Sequence, residues 1–196
     1  SSEPNGGRPW LVVTDEELSQ ARKESGASRP LVLLAPGSVW ATKQWTPQGY
    51  ARLAVLLQER GGEVRLIGSK GEKGLLEDVG RSAGLDPRRI HAGDLSLREL
   101  LALVATSAAV VANDSAPVHI AEAVGVPVVA IFGPTVPEFG FAPRGVGSSV
   151  VEVTGLACRP CSIHGEQYCP LGTHECMQRI TPEMVLERLS ALLPVP

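Results

Sequence analysis

The chain has no long apolar segment and no marked excess of charge. No run of residues approaches the roughly 18 apolar positions that a membrane-spanning helix needs. The first thirty residues also lack the apolar central stretch of a secretory signal peptide. The formal net charge is only −3, so the overall charge gives no reason to expect nucleic acid as a partner.

What is present is typical of a soluble globular protein. Hydrophobic residues make up 43% of the chain and charged residues 20%, both ordinary values for a folded domain. The 196 residues suffice for one large domain or two small ones. The chain begins at Ser1 in the polar stretch SSEPNGG, as a segment cut from inside a longer protein would, although a processed terminus would look the same.

From residue 30 onwards, short apolar runs alternate with segments of helical periodicity. Strands are predicted at residues 31–35, 64–67, 89–91, 108–112, 126–132 and 150–153. Helices are predicted to begin at Thr46 with Pro47, at residue 72, at the capping box of Ser96 and Glu99, at residue 115 and at Thr181. Residues 1–29 contain one short helical pattern, residues 15–23, and are otherwise typical of a linker or interdomain segment.

This alternation predicts an α/β fold for residues 30–196, with a doubly wound, Rossmann-like parallel sheet. A cysteine-rich loop, residues 155–178, and a C-terminal helix, residues 182–193, end this domain. Ligands of such sheets bind outside the carboxyl ends of the strands. The chemistry is therefore expected in the loops after the first, second, fourth and fifth strands.

The loop after the first strand, PGSVWATKQW at residues 36–45, places a glycine, two hydroxyls and a lysine before a helix N-terminus. The free amides and the dipole of that N-terminus favour a phosphate, and Lys43 would add a positive charge. The alternative is an exposed lysine on an ordinary loop. This is not a Walker loop, because G-x-x-x-x-G-K is absent.

The loop after the fourth strand, residues 112–119, contains Asp114, Ser115 and His119 where a buried strand turns into a helix. An acid, a hydroxyl and an imidazole grouped at a strand end are typical of a functional site. The alternative is structural, with Asn113 or Asp114 serving only as the helix N-cap and His119 as a structural histidine.

The second strand ends in GSKGE, residues 68–72. Glu72, just past the strand end, is well placed to accept hydrogen bonds from ribose hydroxyls, as an acid does in dinucleotide-binding folds. The alternative is a solvated glutamate in the first turn of a helix, where the dipole favours it.

All four cysteines and two histidines lie within residues 158–176 of the sequence. Such a cluster can bind zinc as a tetrahedral structural site, although the second pair departs from the usual C-x2-C spacing. Two disulfides are another option, but a cytosolic chain keeps its thiols reduced, and we favour reduced thiols over zinc. A catalytic cysteine is not expected, because no base and orienting group accompany one. The four are Cys158, Cys161, Cys169 and Cys176.

Three segments make the sequence similar to a known family: PGSVWATKQW, IGSKGE and AGDLSLRELLALVATSAAVVANDSAPVHIAEAVGVPVVAIFGPT. They resemble the family 9 glycosyltransferases, the heptosyltransferases that build the inner core of lipopolysaccharide. The cysteine-rich loop and the TPEMV helix resemble the end of the branch that adds the second heptose. The resemblance covers nearly all of residues 30–195, and the D-S-x-x-x-H block is its most specific part.

The resemblance implies a GT-B fold, in which two Rossmann-like domains face each other across a cleft and this chain is the C-terminal, nucleotide-sugar-binding half. It implies inverting transfer of heptose from ADP-heptose with no cofactor or metal required, so any zinc would be structural. The implied acceptor is a lipid-linked saccharide, bound through an N-terminal domain. The implied location is the cytoplasm, with peripheral contact at the inner face of the bacterial inner membrane as an option for the full-length protein.

The resemblance also assigns roles to eight residues by position. They are Ser38 and Lys43 for the pyrophosphate or the sugar, Glu72 for the ribose, Leu95 for the adenine, Asp114 for the sugar hydroxyls, and the amides of Ser115 and Ala116 with His119 for the phosphates. The family's base is a carboxylate of the N-terminal domain, and no residue here matches it. Two other functions stay open, a GT-B transferase using another nucleotide sugar such as a UDP-sugar, and a non-catalytic nucleotide-binding module.

Overall fold

The computed structural model describes residues 10–26 and 29–193. Its helices are α1 (Asp15–Ser25), α2 (Pro47–Glu59), α3 (Lys73–Ser82), α4 (Leu97–Ala105), α5 (Ala116–Ala123), α6 (Glu175–Gln178) and α7 (Pro182–Ser190). Its strands are β1 (Leu31–Ala35), β2 (Glu63–Gly68), β3 (Ile90–Ala92), β4 (Ala109–Asn113), β5 (Val128–Phe132) and β6 (Ser149–Glu152). Across the described residues, no helix has both the length and the apolar character needed to cross a membrane.

The six strands form one parallel sheet in the order β3-β2-β1-β4-β5-β6. The strands β1, β4 and β5 are buried along their whole length, as expected where helices cover both faces of a parallel sheet. The predicted α/β, doubly wound, Rossmann-like fold is confirmed.

Helices α2, α4 and α7 begin at the predicted caps. Thr46 Oγ1 accepts the Gly49 amide at 3.0 Å, and Pro47 occupies the first turn of α2. Ser96 and Glu99 form the predicted capping box of α4, in which the Ser96 amide donates to the Glu99 carboxylate at 2.7 Å. Because these side chains satisfy amides that a helix leaves unpaired, they fix where each helix starts.

Two apolar layers cover the sheet. On one face α2, α3 and α7 pack against strand residues that include Leu34 and Leu66. On the other face α4 and α5 pack against residues that include Leu33 and Ala112. Neighbouring residues of β1 thus point into different layers, as the alternation of side chains along a strand requires.

The N-terminal helix α1 lies against α4. The helix predicted at residues 15–23 is confirmed and continues to Ser25. The Arg98 guanidinium of α4 donates hydrogen bonds to the Glu17 carboxylate of α1 and holds the pKa of Glu17 at about 2. Residues 1–9, 27 and 28 lie outside the described part of the chain, so the linker assigned to residues 1–29 stays a prediction.

The strand order reverses at β1, which has β2 on one side and β4 on the other. The chain leaves β1 towards α2 on one face of the sheet and leaves β4 towards α5 on the opposite face. The two loops therefore diverge and leave a cleft between them at the carboxyl edge, where doubly wound folds bind their ligands. The loops after β1 and β4 therefore lie on the two sides of this cleft.

Candidate functional site

A cavity of about 330 Å³ opens at the carboxyl ends of β1 and β4. It brings together residues that the sequence singled out on both loops, which are Ser38, Lys43, Asp114, Ser115, Ala116 and His119. Val39, Trp40, Phe141 and His164 complete the lining. Two loops that are far apart in sequence thus form one site.

Lys43 and Asp114 form a buried ion pair in this cavity. Lys43 Nζ lies 2.6 Å from Asp114 Oδ2, and the two side chains are 8% and 5% exposed. The fully buried Thr135 hydroxyl donates to the same carboxylate oxygen at 2.7 Å. The centre of the Phe141 ring lies 5.8 Å from Nζ, within the range of a cation–π contact. The Lys43 ammonium is therefore buried and fixed by its ion pair with Asp114, and Lys43 is not an exposed loop lysine.

Asn113, the last residue of β4, fastens the loop that carries Lys43. Its amide group donates to the Pro36 carbonyl at 2.8 Å and to the Gly37 carbonyl at 3.1 Å. Its side-chain oxygen accepts the Trp45 amide at 2.9 Å and the Tyr50 hydroxyl at 3.1 Å. One fully buried side chain thus ties the start and the end of the loop to the neighbouring strand.

For the loop after β4, the sequence also allowed a purely structural alternative, in which Asn113 or Asp114 caps the following helix. Ser115 is the N-cap residue of α5, and no side-chain cap hydrogen bond is formed there. The Ser115 hydroxyl donates instead to the Asn113 carbonyl at 3.2 Å. The interpretation of Asn113 or Asp114 as a simple helix cap is therefore wrong, because both side chains are engaged in buried contacts elsewhere.

The N-terminus of α5 places Ser115 and Ala116 in the cavity lining. The first amides of a helix have no acceptor within the helix and can bind an anion. His119 lies one turn further along, reaches the same cavity, and has its Nδ1 3.9 Å from a Glu122 carboxylate oxygen. A helix N-terminus, an ammonium and an imidazole therefore meet at this cavity, beside the Asp114 carboxylate, and the first three are groups that can bind phosphate.

Glu72 lies against the loop after β1 but does not line this cavity. Its carboxylate accepts the Ser69 amide at 2.7 Å and the Ser69 hydroxyl at 2.8 Å. It also lies against Gly37, where an added Cβ would fall 1.8 Å from Glu72 Oε1. The missing side chain at Gly37 is what allows the carboxylate to reach the loop after β1, and its contact with a ribose stays a prediction.

Leu95 lines a different cavity, of about 450 Å³, between α1 and α4. Its side chain packs partly against the apolar layer on that face of the sheet, which favours an apolar residue there without any ligand. Leu95 and Lys43 do not share a cavity, and the contact of Leu95 with adenine stays a prediction.

The cysteine-rich loop, residues 155–178, packs against the loop that carries Lys43. The Thr42 amide and hydroxyl donate to the Glu166 carbonyl at 3.0 and 2.8 Å, and the Glu166 amide donates back to the hydroxyl at 2.8 Å. His174 Nε2 lies 2.7 Å from the Thr42 carbonyl oxygen. Hydrogen bonds between the two loops therefore restrain both of them.

The four cysteines are free thiols, and their surroundings shift the pKa of three of them. Burial raises the pKa of Cys176 to about 11 and also raises the pKa of Cys161. The His174 amide donates to Cys169 Sγ and lowers the pKa of that thiol. In the part of the chain that the structure describes, no group of three or more His, Cys, Asp or Glu side chains could hold a metal ion, so the zinc alternative gains no support.

Cys169 is expected to react with iodoacetamide before Cys176 in the native chain at pH 7. The thiolate is the reactive form, and the lowered pKa gives Cys169 more of it, whereas Cys176 is buried and protonated. Mass spectrometry of the alkylated peptides gives the order.

Metal analysis of protein purified without chelator should find no zinc. One zinc per chain, lost together with thermal stability on chelation, would contradict the expectation that the four thiols are free of metal.

Comparison with known proteins yields consistent matches. The sequence profile described as "Glycosyltransferase family 9 (heptosyltransferase)" matches residues 5–170. The chain is 31% identical over 198 residues to lipooligosaccharide heptosyltransferase 2 of Haemophilus influenzae, covering 95% of this chain and 56% of that protein. It is 31% identical over 192 residues to lipopolysaccharide heptosyltransferase 2 of Escherichia coli K12, covering 94% of this chain and 53% of that protein.

A solved structure shares the fold. The structure described as E. coli ADP-heptose lps heptosyltransferase II matches with a TM-score of 0.75 and 30% sequence identity, covering 94% of this chain and 53% of that one. The chain spans about half the length of the curated relatives it matches.

Proposed function

This chain belongs to glycosyltransferase family 9, the heptosyltransferases, and on that basis we propose that it is the donor-binding domain of an inverting transferase that uses ADP-heptose. The observation that carries the proposal is the convergence of Lys43, Asp114, His119 and the N-terminus of α5 in one cavity. That cavity lies at the strand-order switch, where this class of fold binds nucleotides.

The proposed donor lies across the carboxyl edge of the sheet. Ser38 and Lys43 contact its pyrophosphate from the loop after β1. The amides at the start of α5 and the His119 imidazole contact it from the loop after β4. In this arrangement three kinds of hydrogen-bond donor converge on the charged centre of the ligand, and the helix dipole adds to them.

The main chemical contribution of this domain is to stabilise the leaving group. Negative charge grows on the diphosphate as its bond to the anomeric carbon of the sugar breaks. Lys43 is already buried and held against Asp114, so its ammonium needs little reorganisation to meet that charge. Asp114, at the same place, is proposed to orient the sugar through its hydroxyls.

The other half of the chemistry is proposed to lie outside this chain. Inversion requires a base that takes the proton of the acceptor hydroxyl, and we assign it to a carboxylate of an N-terminal domain. The greater length of the relatives supports this assignment. We propose that the chain alone binds the donor without transferring it. The proposed acceptor is the lipopolysaccharide inner core, reached by the full-length protein at the inner face of the inner membrane.

Asp114→Asn is expected to lower turnover of the full-length enzyme by about 10- to 100-fold, while ADP affinity changes by less than about threefold. The amide keeps the shape of the side chain and an oxygen that can accept a hydrogen bond from Lys43, so Lys43 keeps a partner. It loses the charge that is proposed to meet the sugar hydroxyls, and ADP carries no donor sugar at that position. Steady-state transfer assays and calorimetry with ADP measure the two effects. Asp78→Asn, at an exposed position of α3, is the matched control.

The reverse pattern would contradict this assignment. Lost ADP affinity with turnover retained at saturating donor would mean that Asp114 serves mainly to hold Lys43. Equal losses in Asp114→Asn and in the Asp78→Asn control would mean that neither effect comes from the site.

A further inference from the structure

The nucleoside, the diphosphate and the sugar of a bound donor would lie at the carboxyl ends of different strands of this sheet. The inference that follows rests on the proposed function. The predicted nucleoside contacts, Glu72 and Leu95, follow β2 and β3 on one side of the switch. The phosphate contacts lie at β1 and β4. The sugar must then extend to the remaining side, over the carboxyl end of β5, because the donor is linear and its two ends are separated by the diphosphate.

Two aromatic rings line the cavity on that side. Phe141 follows β5, and His164 belongs to the cysteine-rich loop that follows β6. Their ring centres lie 6.4 Å apart at an interplanar angle of 55°, so the two rings form a corner in place of a flat stack. The Phe141 ring also lies beside Lys43, whose ammonium marks the diphosphate end of the cavity. In the proposed arrangement of the donor, Phe141 therefore lies close to the bond that breaks, and His164 lies against Phe141.

The backbone on either side of His164 is fixed, although its ring is exposed. Gly165 packs directly on the lysine loop: a Cβ added there would lie 3.0 Å from both Lys43 Cγ and Trp40 Cβ. Gly165 also has a φ of +94°, which side-chain-bearing residues rarely adopt. Its amide donates to Ser162 Oγ at 2.8 Å. The next residue makes the paired hydrogen bonds to Thr42 described above, so the imidazole is presented to the cavity from an anchored segment.

We propose that Phe141 and His164 form the sugar-recognition wall of the donor site. The Phe141 ring offers an apolar face to the carbon-bound hydrogens of the sugar ring, and the His164 imidazole offers a hydrogen bond to one of its hydroxyls. Binding sites for small polar ligands combine these two elements, an apolar surface and a few placed polar groups. The cysteine-rich loop thereby contributes directly to donor choice, through a residue to which the resemblance assigns no role.

The test compares two ligands that differ only in the sugar. Calorimetry is run with ADP and with ADP-heptose on the unaltered chain, His164→Ala, His164→Gln and Phe141→Leu. His164→Ala and Phe141→Leu are expected to weaken ADP-heptose binding by about 5- to 10-fold and to leave ADP binding within about twofold. His164→Gln keeps a hydrogen-bond donor and should recover part of the loss. Tyr168→Ala, an 86% exposed position of the same loop, should change neither affinity.

Each other outcome overturns the proposal in a distinguishable way. An equal loss for ADP and ADP-heptose would mean that His164 contacts the phosphates. Unchanged binding of both ligands would place the two rings outside the site while leaving the proposed donor intact. If the unaltered chain bound neither ligand, the proposed function would fail and this inference with it.

Discussion

Lys43→Ala is expected to destabilise the domain by about 3 kcal/mol and to weaken ADP binding by about 10- to 100-fold. The stability loss arises because Asp114 would keep its charge at a 5% exposed position without the ammonium that now lies 2.6 Å away. Among the residues that the structure describes, the Thr135 hydroxyl alone would remain as a partner for that carboxylate. The affinity loss arises because a charge-assisted hydrogen bond to the diphosphate would disappear.

Denaturant unfolding measures the first effect and calorimetry in low salt measures the second. Lys23→Ala, which removes an exposed lysine from α1, is the matched control and should change stability by less than about 0.5 kcal/mol. An ADP affinity within about twofold of the unaltered chain would place Lys43 outside the phosphate site. In that case the buried pair would have a structural role only.

Asn113→Asp is expected to destabilise the chain by about 3 kcal/mol at neutral pH, although it replaces a single atom. The amide nitrogen donates to the carbonyls of Pro36 and Gly37, and a carboxylate oxygen in its place would face those carbonyls without a proton. Burial also disfavours the charged carboxylate and raises its pKa in the folded state. A raised folded-state pKa means that the unfolded chain ionises first as pH rises, so the loss should shrink as pH falls towards 4.

Unfolding curves at pH 7 and at lower pH, with ADP calorimetry at pH 7, check this prediction. ADP affinity should fall as well, because Asn113 holds both ends of the loop that carries Lys43. Gln48→Glu makes the same amide-to-acid change at an exposed position of α2 and serves as the control. A variant as stable as this control would contradict the role of Asn113 as the fastening of the loop.

The parts of the fold that follow from local rules could be predicted from the sequence. Caps such as Thr46 and the box of Ser96 with Glu99 act over three residues, so their helices begin where the pattern indicated. The apolar runs located β1, β2, β4 and β5 to within about two residues, because parallel strands buried on both faces need such runs. The strands β3 and β6, at the two ends of the sheet, are only partly buried, and their predicted bounds were about one residue off. The convergence of the loops at Lys43 and Asp114 followed from the geometry of parallel sheets.

The contacts inside the site could not be predicted, because their partners are distant in sequence. Asn113 forms hydrogen bonds with Trp45, Tyr50 and Pro36, which are separated from it by 68, 63 and 77 positions in the sequence. The local rule that favours asparagine as a helix cap suggested a different role. Thr135, Phe141 and His164 come from irregular loops, which carry no periodic signal. The sequence therefore predicted that the loop carrying Lys43 could bind phosphate. The residues that hold this loop in place and line the cavity around it could be identified only from the structure.

The most direct test of the donor-binding proposal is a calorimetric comparison of ADP and UDP on the isolated chain. We predict saturable binding of ADP at one site per chain and binding of UDP at least about tenfold weaker, since the nucleoside side of the site is proposed to select adenine. Loss of the ADP signal in Lys43→Ala would assign that site to the cavity between β1 and β4. Absence of ADP binding, or equal binding of UDP, would contradict the proposal of an ADP-heptose donor domain.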